Sequence, residues 1–521
     1  MRMVPEEIIK KIWPKVRTKH LFPELPIPKV SEGRENVALE MKDKQITINT
    51  AFYDKISHKM GVEEVVEALL DHGISHYTYC PWDFHTHLRL FREAKRVVQD
   101  KEQAKRAAGL FMDVVADTHC VKEKKTPLPE LYKHIDKGKV DAVISSLYQK
   151  IWGLDLCAKE DEEVVRRLSR IPYLDKKQWD KSIQKFARVI KTLLEVEEEE
   201  DRQEGNQTNP MGEHGLDGYT LEEIDQGLRN FANQNVGLKE FKETFEDFKD
   251  ELKDVGYGME GGMGRGEGTP LDADLIYYMK LAESYSIPIK KVPMEKRGFL
   301  NPHSHCPWEI GRPFQDVDVW TSFGKIMPGI TQTWNKIEGS TFGERESVPD
   351  CIIIIDSSGS MTNPRKNLSY AVLGAACASD AYLRNDAKVA AYNFSDAPMG
   401  GKAILNFTAE RVKIYGVLCK YFGGGTALNL NELDPLLDSA KEPDIFIITD
   451  MKITNLGKVI GYFQNIKNRI TAVYIGENTY ALRFREAMEK KKNMSFYNVT
   501  KKEDIPKIVL GKIKEYFRGN L

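Results

Sequence analysis

Two sets of residues in this 521-residue chain have the types and spacings to hold a metal ion. The first joins Asp356, Ser358 and Ser360, two residues apart, with Thr426 and Asp450 further along. Two carboxylates and three hydroxyls form an all-oxygen donor set. Such a set suits a hard cation like Mg²⁺ that keeps some of its waters. The second set pairs His72 with His76 and Asp113 with Asp117, each pair four residues apart. On a helix that interval stacks two side chains on one face, one turn apart. Imidazoles and carboxylates so placed could hold zinc. The competing reading is a pair of half-buried histidines bonded within the core.

The oxygen donors need strands to carry them. Cys351-Ile-Ile-Ile-Ile-Asp356 reads as a short strand buried on both faces, the habit of central strands in parallel sheets. Asp444-Ile-Phe-Ile-Ile-Thr-Asp450 is a second strand ending on a carboxylate, and Gly423-Gly-Gly-Thr426 puts a hydroxyl on a flexible loop. Ligands of open α/β sheets bind in loops at the carboxyl ends of strands. Strands are predicted at 351–355, 388–394, 402–407, 444–449, 470–475 and 494–498, with helices between them and a closing helix over Asp504–Phe517. That order predicts a doubly wound, mostly parallel, Rossmann-like α/β sheet covered by helices on both faces. The 402–407 strand follows its predecessor so closely that it should form an antiparallel edge.

The histidines need helices. Val62 to Tyr77 shows one apolar stripe through Val65, Val66, Leu69, Leu70 and Ile74, and His72 and His76 lie beside it. A short strand, Gln45–Asn49, precedes this helix. A further helix is predicted from about Glu93 to Thr118, carrying both aspartates, and another opens the chain at Pro5–Trp13.

Asp-x-Ser-x-Ser, then Thr, then Asp resembles the metal-ion-dependent adhesion site of von Willebrand factor A (vWA) domains, over roughly 349–521. The resemblance implies that Ser358, Ser360 and Thr426 coordinate Mg²⁺ directly while Asp356 and Asp450 act largely through water. It implies an open position that takes a Glu or Asp from a partner protein. It also implies a partnership with a MoxR-type AAA+ ATPase, in remodelling or maturation of other proteins. The chain has no phosphate-binding Gly-x-x-x-x-Gly-Lys-Ser/Thr loop of its own.

A strand, a His-x-x-x-His helix and an Asp-x-x-x-Asp helix are together similar to a zincin-type metallopeptidase core. They also resemble the metallopeptidase-like domains that precede vWA-like domains in some prokaryotic proteins. This implies that one of Asp113 or Asp117 is a third Zn²⁺ ligand and the other orients an imidazole. Where that family places the glutamate that takes a proton from metal-bound water, this chain has Gly73, so the usual base is absent. The neighbouring Asp71 points about 100° round the helix. A structural metal, a degenerate peptidase fold and a base supplied from elsewhere stay open. His85, His87 and His119 are near enough in sequence to replace an aspartate. His303-Ser-His305-Cys306 is a compact donor cluster with metal-capable spacing, read in preference as a polar loop around a packed tryptophan.

The expected organisation is a mainly helical α+β, zincin-like domain over 1–195, then an acidic and Gly-rich linker over 196–270. A connecting segment over 271–349 leads to the vWA domain over 350–521. The linker's charges and glycines bury too little surface to offset ordering entropy, apart from one loosely docked surface helix around Thr220–Lys253. With 41% hydrophobic and 30% charged residues and a net charge of −2, the chain has no pull toward nucleic acid or anionic membrane. It has no apolar run of spanning length. Its 7 cysteines include no Cys-x-x-Cys pair, so neither a zinc ribbon nor a disulfide framework is indicated. These features predict a cytoplasmic protein whose partners are proteins. A zinc peptidase to which the vWA domain recruits substrates is the alternative reading.

Overall fold

The computed structural model describes residues 5–500 and 504, except 33–37, 57, 136–137, 159–161, 205–210, 212–214, 235–236, 259–271, 286–291, 294–299, 310–316, 319–320, 323–325, 339–345, 397–400 and 477. The closing helix expected over Asp504–Phe517 lies outside them apart from Asp504. The chain forms two compact units: Met1–Ser284 with Asn363–Leu368, and Tyr285–Thr362 with Ser369–Leu521. No helix among the described residues is long and apolar enough to cross a membrane.

The first unit is largely helical. Helix α1 (Pro5–Lys19) precedes a small sheet of β1 (Lys29–Ser31), β2 (Leu39–Lys42) and β3 (Gln45–Asn49). Strand β3 is central, parallel to β1 and antiparallel to β2. Then follow α2 (Thr50–Ile56), α3 (Val62–Thr78), α4 (Phe84–Val98), α5 (Lys101–Glu123), α6 (Leu128–His134), α7 (Lys139–Trp152), α8 (Glu162–Leu168) and α9 (Trp179–Glu204). Helix α3 is buried continuously from Val65 to His76, so its polar face as well as its apolar stripe is interior. Charged and imidazole groups on it must therefore find partners within the protein.

Two expectations are corrected here. The helix predicted from Glu93 to Thr118 is in fact two. Gln99 turns to φ 71°, and the Asp100 carboxylate accepts from Gln103 N at 2.9 Å, which caps the start of α5. The one surface helix predicted around Thr220–Lys253 is three: α10 (Leu221–Asn233), α11 (Leu238–Asp247) and α12 (Lys249–Asp254). A capping box between Thr220 and Glu223 starts α10. Phe231, Phe241, Phe245 and Phe248 are at most 2% exposed, so these helices belong to the core. Helix α13 (Ala273–Ala282) completes the unit, its Tyr278 hydroxyl donating to Pro364 O at 3.2 Å.

In the second unit β4 (Val292–Pro293) pairs with β7 (Glu346–Ser347) and β5 (Leu300–Pro307) with β6 (Gln332–Glu338). A larger element follows: β8 (Cys351–Asp356), α14 (Tyr370–Leu383), β9 (Val389–Phe394), β10 (Lys402–Thr408), α15 (Arg411–Leu418), α16 (Asp434–Asp438), β11 (Asp444–Thr449), α17 (Leu456–Asn465), β12 (Ile470–Ile475), α18 (Thr479–Met488) and β13 (Met494–Val499). The six strands form one sheet in the order β10-β9-β8-β11-β12-β13. All neighbours are parallel except β10, the antiparallel edge on β9. The four isoleucines of β8 are at most 1% exposed, each contributing about 2 kcal/mol of transfer free energy. After β8 the chain continues to one side of it, then returns to the other side with β11. The order therefore reverses between β8 and β11.

Candidate metal centres

That reversal is where an open α/β sheet leaves a crevice at the carboxyl ends of its strands. Asp356 ends β8, and Asp450 lies one residue beyond β11, the strand next to it. Thr449 donates to Asp356 Oδ2 at 2.6 Å, and Ser358 N donates to Asp356 Oδ1 at 2.8 Å. Both carboxylate oxygens thus already hold a donor. Burial raises the Asp356 carboxyl above its usual range, and the nearby Asp450 adds to this against those two donors.

Three loops close around the two strand ends. Gly359 N donates to Gly424 O at 2.9 Å, which brings the glycine run onto the serine turn. A Cβ at Gly359 would stand 3.1 Å from that carbonyl, and Gly423 and Gly424 have φ of 68° and 82°, a region that favours glycine. Thr454 donates through N and Oγ1 to Thr426 O at 2.8 and 2.7 Å, fixing Thr426 beside the loop after β11. Asp450 accepts from Lys452 N at 3.1 Å and pairs with Lys452 Nζ at 3.3 Å. The Ser358 and Ser360 hydroxyl oxygens are 3.2 Å apart. Adjacent ligands of an octahedral Mg²⁺ at 2.0–2.1 Å stand about 3 Å apart, so the two serine oxygens have the separation such an ion requires.

In the first unit the structure gathers His72, His76 and Asp113, all buried. His72 Nε2 and His76 Nε2 are 3.2 Å apart, and Asp113 Oδ1 stands 3.3 Å from the latter and 3.8 Å from the former. The outer nitrogens decide what the inner ones present. His76 Nδ1 lies 2.8 Å from Cys80 O, which can only accept, so that nitrogen carries the proton. His72 Nδ1 lies 2.7 Å from Asp117 Oδ1, and the other Asp117 oxygen accepts from Tyr132 and Tyr148 at 2.6 and 2.9 Å. Burial, reinforced by Asp117, pushes both phenols well up and keeps them donors. With both imidazoles neutral, this arrangement aims two lone pairs and a carboxylate oxygen at one point.

Like poles that close need a cation between them. Burial alone would lower the His72 imidazole, yet Asp117 and Asp113 hold it above the usual range, so the point attracts positive charge. Ligands of a tetrahedral zinc at 2.0–2.1 Å stand about 3.3 Å apart, and the three observed separations bracket that value. The alternative left by the spacing is thereby decided for the geometry: Asp113 faces the point and Asp117 orients His72.

The other candidates lie elsewhere. His87 Nδ1 meets the Tyr219 hydroxyl at 3.2 Å, His85 Nε2 is buried with no bonded partner among the described residues, and His119 stacks on Tyr79 at 3.6 Å. None joins His72. His305 sits on strand β5 rather than a loop, bonded to Asp318 at 2.9 Å and packed on Trp334. The side chain of His303 lies outside the described residues.

One group escaped the sequence reading. His20, Asp71 and Cys120 also converge, fully buried. His20 comes from the end of α1, and its spacing to Asp71 carries no signal. No family model matches this chain, and no curated protein matches it.

Proposed function

We propose that the second unit is a vWA-type protein-recognition module whose Mg²⁺ captures an acidic side chain of a partner. What supports this is that Asp356 and Asp450 follow neighbouring strands where the sheet order reverses, with the loops that carry Ser358, Ser360 and Thr426 bonded around those strand ends. Neutral hydroxyls would hold the ion, while Asp356, whose oxygens are already bonded, would act through water. The ion would thereby retain enough net charge to take a Glu or Asp in an open position. The resemblance to vWA proteins points to a MoxR-type AAA+ ATPase as that partner. The test is Mg²⁺ titration calorimetry together with binding to such an ATPase, on the native chain and Asp356→Ala. Loss of both in the variant is expected. An Asp356→Ala chain that keeps every interaction would sink the reading.

A second reading concerns the first unit, favoured by the converging lone pairs of His72 and His76. We infer a zincin-like centre that holds a transition metal without the usual hydrolytic base. A Cβ at Gly73 would meet Ile46 Cδ1 of β3 at 3.2 Å, so packing fills the place beside His72. Zinc-dependent proteolysis by the native chain would reverse this ranking in favour of a peptidase.

A further inference from the structure

The turn that orients His76 also builds a second feature. Trp82 N donates to His76 O at 2.9 Å, and around this turn Tyr79 and Trp82 meet Trp179 at the start of α9. Trp179 lies 5.9 Å from Tyr79, with the planes at 76°, and 5.7 Å from Trp82, at 42°. The three rings thus form walls rather than a stack. Between them sits one ammonium group. Lys176 Nζ is 4.3 Å from the Tyr79 centroid, 4.5 Å from Trp82 and 5.7 Å from Trp179.

The walls and the occupant are anchored differently. Trp179 is fully buried, with its indole N–H donating to Tyr173 O at 2.7 Å, and Tyr79 donates to Leu174 O at 3.3 Å. Trp82 is held at φ 51° with 38% of its surface exposed, so the box has an open side. Lys176, by contrast, is exposed and comes from a single 3₁₀ turn, Lys176–Gln178. A lysine ammonium has three N–H donors to satisfy. Among the described residues none of them meets a carboxylate or carbonyl, so water satisfies these donors and the rings are the protein groups that face the charge. Three π faces with no acceptor favour a cation that needs none, namely an alkylated ammonium, which is also less strongly hydrated than a primary one.

We propose that Tyr79, Trp82 and Trp179 form a binding site for alkylated ammonium groups, which Lys176 occupies as an internal ligand until it is displaced. The rings supply the affinity through their faces, and the absence of acceptors supplies the selectivity. Lys176 sets the threshold, because a ligand must compete with a tethered cation. The site belongs to the first unit and is independent of the Mg²⁺ reading.

The test is a tryptophan-fluorescence titration at matched ionic strength, with thermal melts confirming that each variant is folded. The probes are tetramethylammonium and a peptide carrying trimethyl-lysine, with its unmethylated twin as control. The variants are Lys176→Ala and Lys176→Ala/Trp82→Ala. Lys176→Ala should bind an alkylated probe roughly tenfold more tightly than the native chain, and the added Trp82→Ala should lose that gain. Comparable binding of both alkylated probes would assign the site to free ammonium compounds. Binding of the methylated peptide alone would assign it to a modified side chain. The proposal is overturned if folded Lys176→Ala saturates with neither probe, if binding survives Trp82→Ala, or if the unmethylated peptide binds equally well.

Discussion

Among the described residues the first unit holds two buried groups of the same composition class, one built on His72, His76 and Asp113, the other on His20, Asp71 and Cys120. Distance alone does not separate them. Protons do. In the first group the outer nitrogens donate outward, to Asp117 and Cys80 O, so the inner nitrogens of the neutral rings are left to share a cation. In the second the order is inverted. Lys124 Nζ lies 3.1 Å from His20 Nδ1, and an ammonium can only donate, so Nδ1 is the bare nitrogen. Nε2 then carries the proton and donates to Asp71 Oδ1 at 2.9 Å. The remaining Asp71 oxygen takes Lys19 Nζ at 2.6 Å, and burial, with Asp71 nearby, pushes the Cys120 thiol up to about 12. A protonated imidazole nitrogen and a carboxylate already facing a lysine make a closed hydrogen-bond network, with a protonated thiol beside it. The difference teaches that a cluster of ligand-type residues is read from what lies behind it.

The largest expected effect breaks or keeps this contrast outright. Elemental analysis of the purified chain should find roughly one zinc or iron, lost in His72→Ala/His76→Ala and retained in His20→Ala. Asp117→Asn should keep the fold but weaken the metal about 10–100-fold, since it removes the group that fixes the His72 tautomer. A metal-free native chain would mean that the cation between the two imidazoles is a proton, and His72 and His76 would then be core residues.

Next in size is the closed network. Asp71→Ala removes the group that faces both Lys19 and His20, leaving buried donors without it. Breaking a buried charged pair from one side costs about 3 kcal/mol. Urea denaturation should show that loss for the helical unit, with metal content unchanged. Metal lost along with stability would show the two groups to be one coupled site, which the inverted protonation argues against.

What was legible in the sequence follows from how local its physical cause is. The isoleucine run of β8 announces burial on both faces, and the four-residue intervals announce shared helix faces. The antiparallel edge at β10 follows from a link too short for a crossover. Causes that act across the chain left no such trace. Asp113 and Asp117 are equivalent by spacing; the imidazole nitrogen each one faces separates them, together with Tyr132 and Tyr148, which reach Asp117 from α6 and α7. His20, in the turn just after α1, meets Asp71 across 51 residues of sequence. The phenylalanines of 220–254 mark an apolar helix face, but their spacing does not show that they anchor three short helices in the core. Asp100 looks like one more charge in a helical pattern until its side chain is seen to cap.

Gly73 sharpens the comparison at its smallest scale, because it stands beside His72 where chemistry and packing compete for one position. Alanine there adds a methyl 3.2 Å from Ile46 Cδ1, the far end of a side chain that can turn aside. Replacing a helical glycine recovers up to about 1 kcal/mol. The contact should consume most of that, so Gly73→Ala is expected to change stability by less than about 0.5 kcal/mol and to leave metal content intact. Thermal melts and elemental analysis check both. Gly73→Glu is different in kind, since it presses a carboxylate into the buried face of α3 against Ile46 without a partner, at a cost of about 1–3 kcal/mol. If alanine expelled the metal while the melt stayed unchanged, the backbone at Gly73 would be approaching the ion itself. The centre would then depend on close approach of the chain, and the tautomers fixed by Asp117 and Cys80 would no longer explain it alone.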